Sequence, residues 1–186
     1  MNLIDRFRHI RVIRTVLYAV VGFITYPGLV LINKVKIEGT ENLFNLPKKN
    51  VLFVSNHQTY FADVVAMFHV FNASLKGRED NINNIGYIWK PKLNIYYVAA
   101  KETMKEGLLP RILSYAGAIT VERTWRAKGK DVQREVNPND TENIKIALED
   151  GWVITFPQGT TKSFKPVRKG TAHIIKNNHP IVIPVV

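Results

Sequence analysis

Val51-Leu-Phe-Val-Ser-Asn-His-Gln-Thr-Tyr-Phe-Ala-Asp63 is the stretch on which the fold turns, because a run of apolar residues passes directly into chemically capable side chains. Residues 51–54 have the length and composition of a fully buried strand, and Ser55-Asn56-His57 follow where the chain must turn. Residues 64–70 then read as a helix with a mostly apolar body, so the stretch is a strand, a loop and a helix in succession. His57 and Asp63 fall on the loop or the first helical turn, where a rigid scaffold can fix catalytic groups. Two readings stand at this point. In one, His57 is a general base and Asp63 holds its tautomer and stabilises the imidazolium. In the other, Asn56 and Asp63 are caps or turn formers and His57 is a partly exposed loop histidine.

A length of 186 residues and an apolar share of 46% suit one α/β domain with a real core. The absence of cysteine removes disulfides, thiolate metal sites and any acyl-cysteine intermediate, and it fits a reducing compartment. A net charge of +11 calls for an anionic partner; nucleic acid, an anionic membrane and phosphate-bearing ligands all qualify. The N-terminal region narrows that choice. Arg6, Arg8, Arg11 and Arg14 precede residues 16–32, which carry no charge, and Lys34 and Lys36 follow. This run sits at the short limit for crossing a bilayer and is interrupted by Gly22 and Pro27-Gly28, so a kinked or re-entrant helical hairpin in one leaflet is expected. The arginines would face anionic cytoplasmic headgroups. Residues 1–35 therefore read as a membrane-associated helical segment and residues 36–186 as the globular domain. The alternatives are a signal peptide, which lacks a small-x-small site after the apolar run, and a buried helix packed on the domain.

Further along, residues 36–39 and 85–89 read as short strands and residues 96–100 as a buried one. A helix is expected over 110–116, then a strand over 117–123 ending in Glu122 and Arg123. Arg123 could grip a phosphate through its guanidinium fork, or pair with Glu122. Residues 124–139 are charged and irregular, with Trp125, and suit a flap or a surface arm. Asp140 or Thr141 would cap a helix over 142–150 that Gly151 ends. A strand over 152–156 opens into Pro157-Gln-Gly-Thr-Thr-Lys-Ser163, a small-residue loop able to bring backbone N–H groups to an anion, with Lys162, Lys165, Arg168 and Lys169 around it. A helix over 170–176 and a strand over 181–186 complete the chain. Three loops that each follow a strand carry the polar chemistry.

The order Asn56-His57…Asp63, Gly117…Arg123, Phe156-Pro-Gln-Gly-Thr160 and Ile183-Pro184-Val185 resembles the four sequence blocks of the phospholipid and glycerolipid acyltransferases, of which the lysophosphatidate acyltransferases are the best known. The likeness spans residues 36–186. It implies an α/β domain with helices around a mixed sheet, a monotopic membrane attachment and no cofactor; the expected location is the inner (cytoplasmic) membrane, monotopic or short-spanning, with the active site on its cytoplasmic side. The reaction it implies is transfer of a fatty acyl chain from acyl-CoA or acyl carrier protein to a lysolipid hydroxyl. His57 and Asp63 would be catalytic, and Arg123, Gln158, Gly159, Thr160, Thr161 and Lys162 would contact substrate. No covalent enzyme intermediate is needed, since a thioester already has a good leaving group.

The chain departs from the family pattern in three places. Five residues, not four, separate His57 from Asp63, and a continuous helix would swing the carboxylate roughly 100° further round. Gln158 stands for the family's Glu, and Thr161 for its arginine. These losses open a second acceptor class, the hydroxyl of an N-acyl amino-acid lysolipid without glycerol phosphate. They also keep open a non-catalytic, basic, peripheral membrane-binding protein. The sequence stops just after the fourth block, where relatives continue, so truncation at the C-terminal side is expected. His69, His173 and His179 show no ligand spacing with His57, which argues against a metal site. Nucleic acid would leave the apolar run unexplained.

Overall fold

A computed structural model describes residues 11–105, 107–122, 126–127, 130–131, 135, 137–162 and 164–186. The chain forms two compact units, one from Met1–Leu46 with Thr59–Leu93 and the other from Pro47–Gln58 with Asn94–Val186.

The first unit is helical. Helix α1 (Arg11–Pro27) continues into a π-helical turn, Gly28–Ile32, so the apolar run is one unbroken helical stretch and not the hairpin its glycine and proline suggest. Gly22 serves close packing: a Cβ there would lie 3.0 Å from Ile88 Cγ2. Pro27, which lacks an N–H, sits where α winding gives way to the wider π winding, closed by Asn33 N–H donating to Gly28 O at 3.0 Å. Val12–Ile32 is long and apolar enough to cross a membrane.

Helix α2 (Ala62–Ser74) packs on α1 through Phe68, whose ring lies 4.7 Å from that of Tyr18. Next to Phe68 on α2, His69 is fully buried between α1 and the turn at Tyr87. Thr25 Oγ1 donates to Val21 O at 2.7 Å, so it accepts from His69 Nε2 at 2.9 Å, and Tyr87 Oη donates to Nδ1 at 2.6 Å. The hydrogen-bond network thus assigns the neutral Nε2–H tautomer. Burial pushes the pKa of this histidine from 6.5 to about 4.

The two short strands expected in this part of the chain are absent. Residues 34–39 are irregular and lead through Gly39, at φ +82°, into the 3-10 turn Thr40–Leu43. Thr40 is instead tied to Asp80, whose Oδ1 accepts its N–H at 3.0 Å and its hydroxyl at 2.8 Å. Ile85–Trp89 is likewise a 3-10 turn, begun by the Asn84 side chain accepting from Gly86 N–H at 3.2 Å.

The second unit holds the sheet. Strands β1 (Val51–Ser55), β2 (Ile95–Ala100) and β3 (Ala118–Val121) join two later ones, β6 (Trp152–Thr155) and β7 (Ile181–Val185), in the order β3-β2-β6-β1-β7. Every pairing in this sheet is parallel. Among the described residues, the antiparallel component of the expected mixed arrangement is confined to a separate ribbon, β4 (Arg126–Ala127) with β5 (Lys130–Asp131). Among the described residues, three helices belong to this unit: α3 (Leu108–Tyr115), α4 (Pro138–Asp150) and α5 (Lys169–Asn178).

Strand residues alternate between faces. Leu52, Ile119 and Val153 form a core with Ile144, Ala147 and Leu148 of α4, joined by Ile174 and Ile175 of α5. Val51, Phe53, Trp152 and Ile154 occupy the opposite face and are all buried. On the same face as Phe53, Tyr97 donates to Leu113 O of α3 at 2.8 Å. Helix α4 starts earlier than its sequence suggests, because Asn137, not Asp140 or Thr141, supplies the cap by accepting from Asn139 N–H at 3.0 Å. Asp140 instead accepts from Glu122 N–H at 2.7 Å, fastening α4 to the end of β3. Gly151 is required by close approach, since a Cβ would lie 1.9 Å from Asn94 O. Pro184 is tolerated because β7 is an edge strand.

Candidate active site

Parallel strands deliver their carboxyl ends to one edge of a sheet, and there the loops after β1, β3 and β6 emerge. Strands β1 and β6 are neighbours, with Val54 in register with Thr155. The residues just beyond these ends therefore meet. His57 and Phe156 stack, with ring centroids 4.3 Å apart and 24° between their planes. His57 is half-buried. A ring lying on the imidazole face restricts its rotation while leaving the nitrogens at the ring edge, in the plane where they bond. Phe156 was not singled out as a site residue by its sequence context, since its partnership depends on which strands pair.

The loop after β6 is closed by its own hydrogen bonds. Gly159, at φ +62°, donates its N–H to Phe156 O at 3.0 Å, and Arg168 N–H donates to Pro157 O at 2.8 Å across the loop base. The Gln158 amide donates to Lys165 O at 3.2 Å, and Thr160 Oγ1 accepts from Lys162 N–H at 3.3 Å. Gln158 and Thr160 thus shape the loop, while Thr161 and Lys162 are exposed. Beside it on the same edge, Lys101 at the end of β2 pairs with Glu122 at the end of β3, N to O 3.0 Å. That hydrogen bond and the carboxylate charge raise the Lys101 pKa.

Asp63 lies in the helical unit, in the first turn of α2. Its carboxylate accepts from Thr59 N–H at 3.0 Å and from the Thr59 hydroxyl at 2.6 Å. Because α2 begins only at Ala62, residues 56–61 are irregular and no continuous helix joins His57 to Asp63. His57 belongs to the sheet unit and Asp63 to the helical one. Arg123 and Trp125 lie outside the described residues, as do Arg6, Arg8 and Ser163.

A family model described as acyltransferase matches residues 34–186. Neither the curated proteins nor the solved structures gave a match. The matched region covers well over half of the chain and takes in the whole five-stranded sheet, with His57 at the end of β1 and the loop at the end of β6. The chain therefore belongs to the acyltransferase family, the glycerolipid acyltransferases that include the lysophosphatidate enzymes.

Proposed function

We propose that this acyltransferase is membrane-associated and moves a fatty acyl chain from acyl-CoA or acyl carrier protein to the hydroxyl of a lysolipid, with His57 as general base. The observation that carries this reading is the half-buried His57 just beyond the end of β1, an interior parallel strand, stacked on Phe156 beside a glycine-containing loop. The acceptor oxygen attacks the thioester carbonyl carbon as its proton passes to the imidazole. The tetrahedral intermediate then collapses, the C–S bond breaks, and the imidazolium returns the proton to the departing thiolate. Asp63 supports the imidazolium in this scheme. Arg123, Thr161 and Lys162 meet the acceptor, and Gln158, Gly159 and Thr160 hold their loop in shape.

Membrane association through α1 brings the enzyme to its lipid acceptor. The apolar run between basic residues and the cysteine-free composition support the cytoplasmic face of an inner membrane. Lysophosphatidate is the first acceptor. A second acceptor class, an N-acyl amino-acid lysolipid, is favoured by one specific observation: Thr161 stands where the family pattern has an arginine, which leaves one cation fewer for a phosphate. Purified protein in detergent micelles, given each acyl donor and both acceptors in parallel, decides between them when products are identified by mass. A phosphatidate product supports the first acceptor and a diacylated amino-acid lipid the second; absence of both contradicts lysolipid acylation.

A further inference from the structure

Helix α1 has two unlike faces. Tyr18, Gly22 and Leu29 are buried against the helical unit, while Val12, Val16, Val20 and Ile24 recur every fourth residue on the other side, with exposures of 70, 57, 49 and 73%. The buried face is bonded to the unit along nearly its whole length. Arg14 donates to Leu93 O near one end, and Tyr18 Oη reaches the same carbonyl at 3.5 Å. Ile88 packs on Gly22, and Thr25 holds His69 near the other end. A helix so fastened could not cross a bilayer without drawing the unit's polar groups into hydrocarbon, among them Asn72 and Asp80 with their hydrogen bonds to Lys92 and Thr40. It can lie in the interface with its apolar stripe outward.

Trp89 extends that stripe from a different element. It ends the turn Ile85–Trp89, is 64% exposed, and meets Phe23 of α1 edge-on, with centroids 5.6 Å apart and 70° between planes. Tryptophan has an apolar body and a polar N–H, the combination that suits the boundary between acyl chains and headgroups. The surrounding charge selects an anionic surface. No acidic residue occurs over 11–37 or over 81–93, and Lys34, Lys36 and Lys90 are exposed there.

Resting on the membrane association proposed above, we infer that α1 lies in the plane of an anionic bilayer surface and that Trp89 is a second lipid anchor beside its stripe. The full chain contains no cysteine, so Val20→Cys and Trp89→Cys can each carry a single environment-sensitive fluorophore. Both probes are expected to shift to the blue on vesicles rich in anionic phospholipid and to respond weakly to zwitterionic ones. Trp89→Ala, whose site is exposed, is expected to weaken vesicle binding about tenfold while keeping the helical circular dichroism of the parent. A Trp89 probe that stays aqueous while the Val20 probe shifts overturns the inference and leaves the membrane association standing. If neither shifts, both fall. A shift on raising protein concentration without vesicles assigns the face to a second copy of the chain and overturns the inference.

Discussion

An imidazole at the end of a strand can turn about two side-chain bonds unless something flat is laid against it, and Phe156 provides that surface at 4.3 Å. In the proposed reaction the ring must present one nitrogen to a hydroxyl at the moment of attack, so its orientation is worth rate rather than binding. Phe156→Ala is expected to lower kcat by about 10- to 100-fold with a smaller change in KM, and Phe156→Tyr to restore most of the loss. A kcat for Phe156→Ala equal to that of the parent would show that the stacking does not position the base. His57 itself was legible in the sequence as the polar residue ending an apolar strand. Phe156 was not, because only strand pairing brings residues 99 positions apart together. Gln158 shows the opposite case: its position in a small-residue loop was legible, but its bond to Lys165 O depends on the loop's path.

At the scale of elements, the clamp between α1 and α2 carries a consequence for pH. His69 is buried neutral between Thr25 and Tyr87, and its protonation would set an N–H against the Tyr87 hydroxyl hydrogen at Nδ1. The folded protein takes up this proton only near pH 4, whereas the unfolded chain takes it up near 6.5. Between these values the unfolded state binds more protons, so stability falls as pH drops through the window, by at most about 1.4 kcal/mol per pH unit. Above 6.5 the group has no effect, and below 4 its loss is complete. Denaturant midpoints across this range are expected to fall more steeply for the parent than for His69→Gln; equal slopes would contradict the clamp's titration. The short strands and the helix break that the sequence suggests, and the structure lacks, lie in the same unit. Ile85–Trp89 has the composition of a strand, but it packs Tyr87 and Ile88 inward from a 3-10 turn opened by Asn84, and no sheet edge is needed to bury them. Gly22 and Pro27 suggest a break in α1, yet one is consumed by contact with Ile88 and the other falls where the winding changes.

At the scale of the whole molecule, periodicity and length gave away strands β1, β2, β3, β6 and β7 and the helices between them, since each strand is a short apolar run bounded by turn residues. The sheet order and its parallel pairing were not legible, because β1 is apolar on both faces, with Leu52 on one and Val51 and Phe53 on the other, and so carries no register of its own. The apolar run of α1 was legible from its composition and the basic residues that flank it. Its docking face was not, since that depends on which side of α1 the residues Tyr18 and Thr25 attach to their unit. The central claim, that this acyltransferase uses His57 to activate a lysolipid hydroxyl, is tested most directly by one rate. Acyl transfer should be measured side by side for the parent and for a His57→Ala protein of matched circular dichroism, at saturating donor and acceptor. The account predicts a loss of about 10²- to 10⁴-fold for the variant. A variant that transfers acyl chains at close to the parent rate would contradict it.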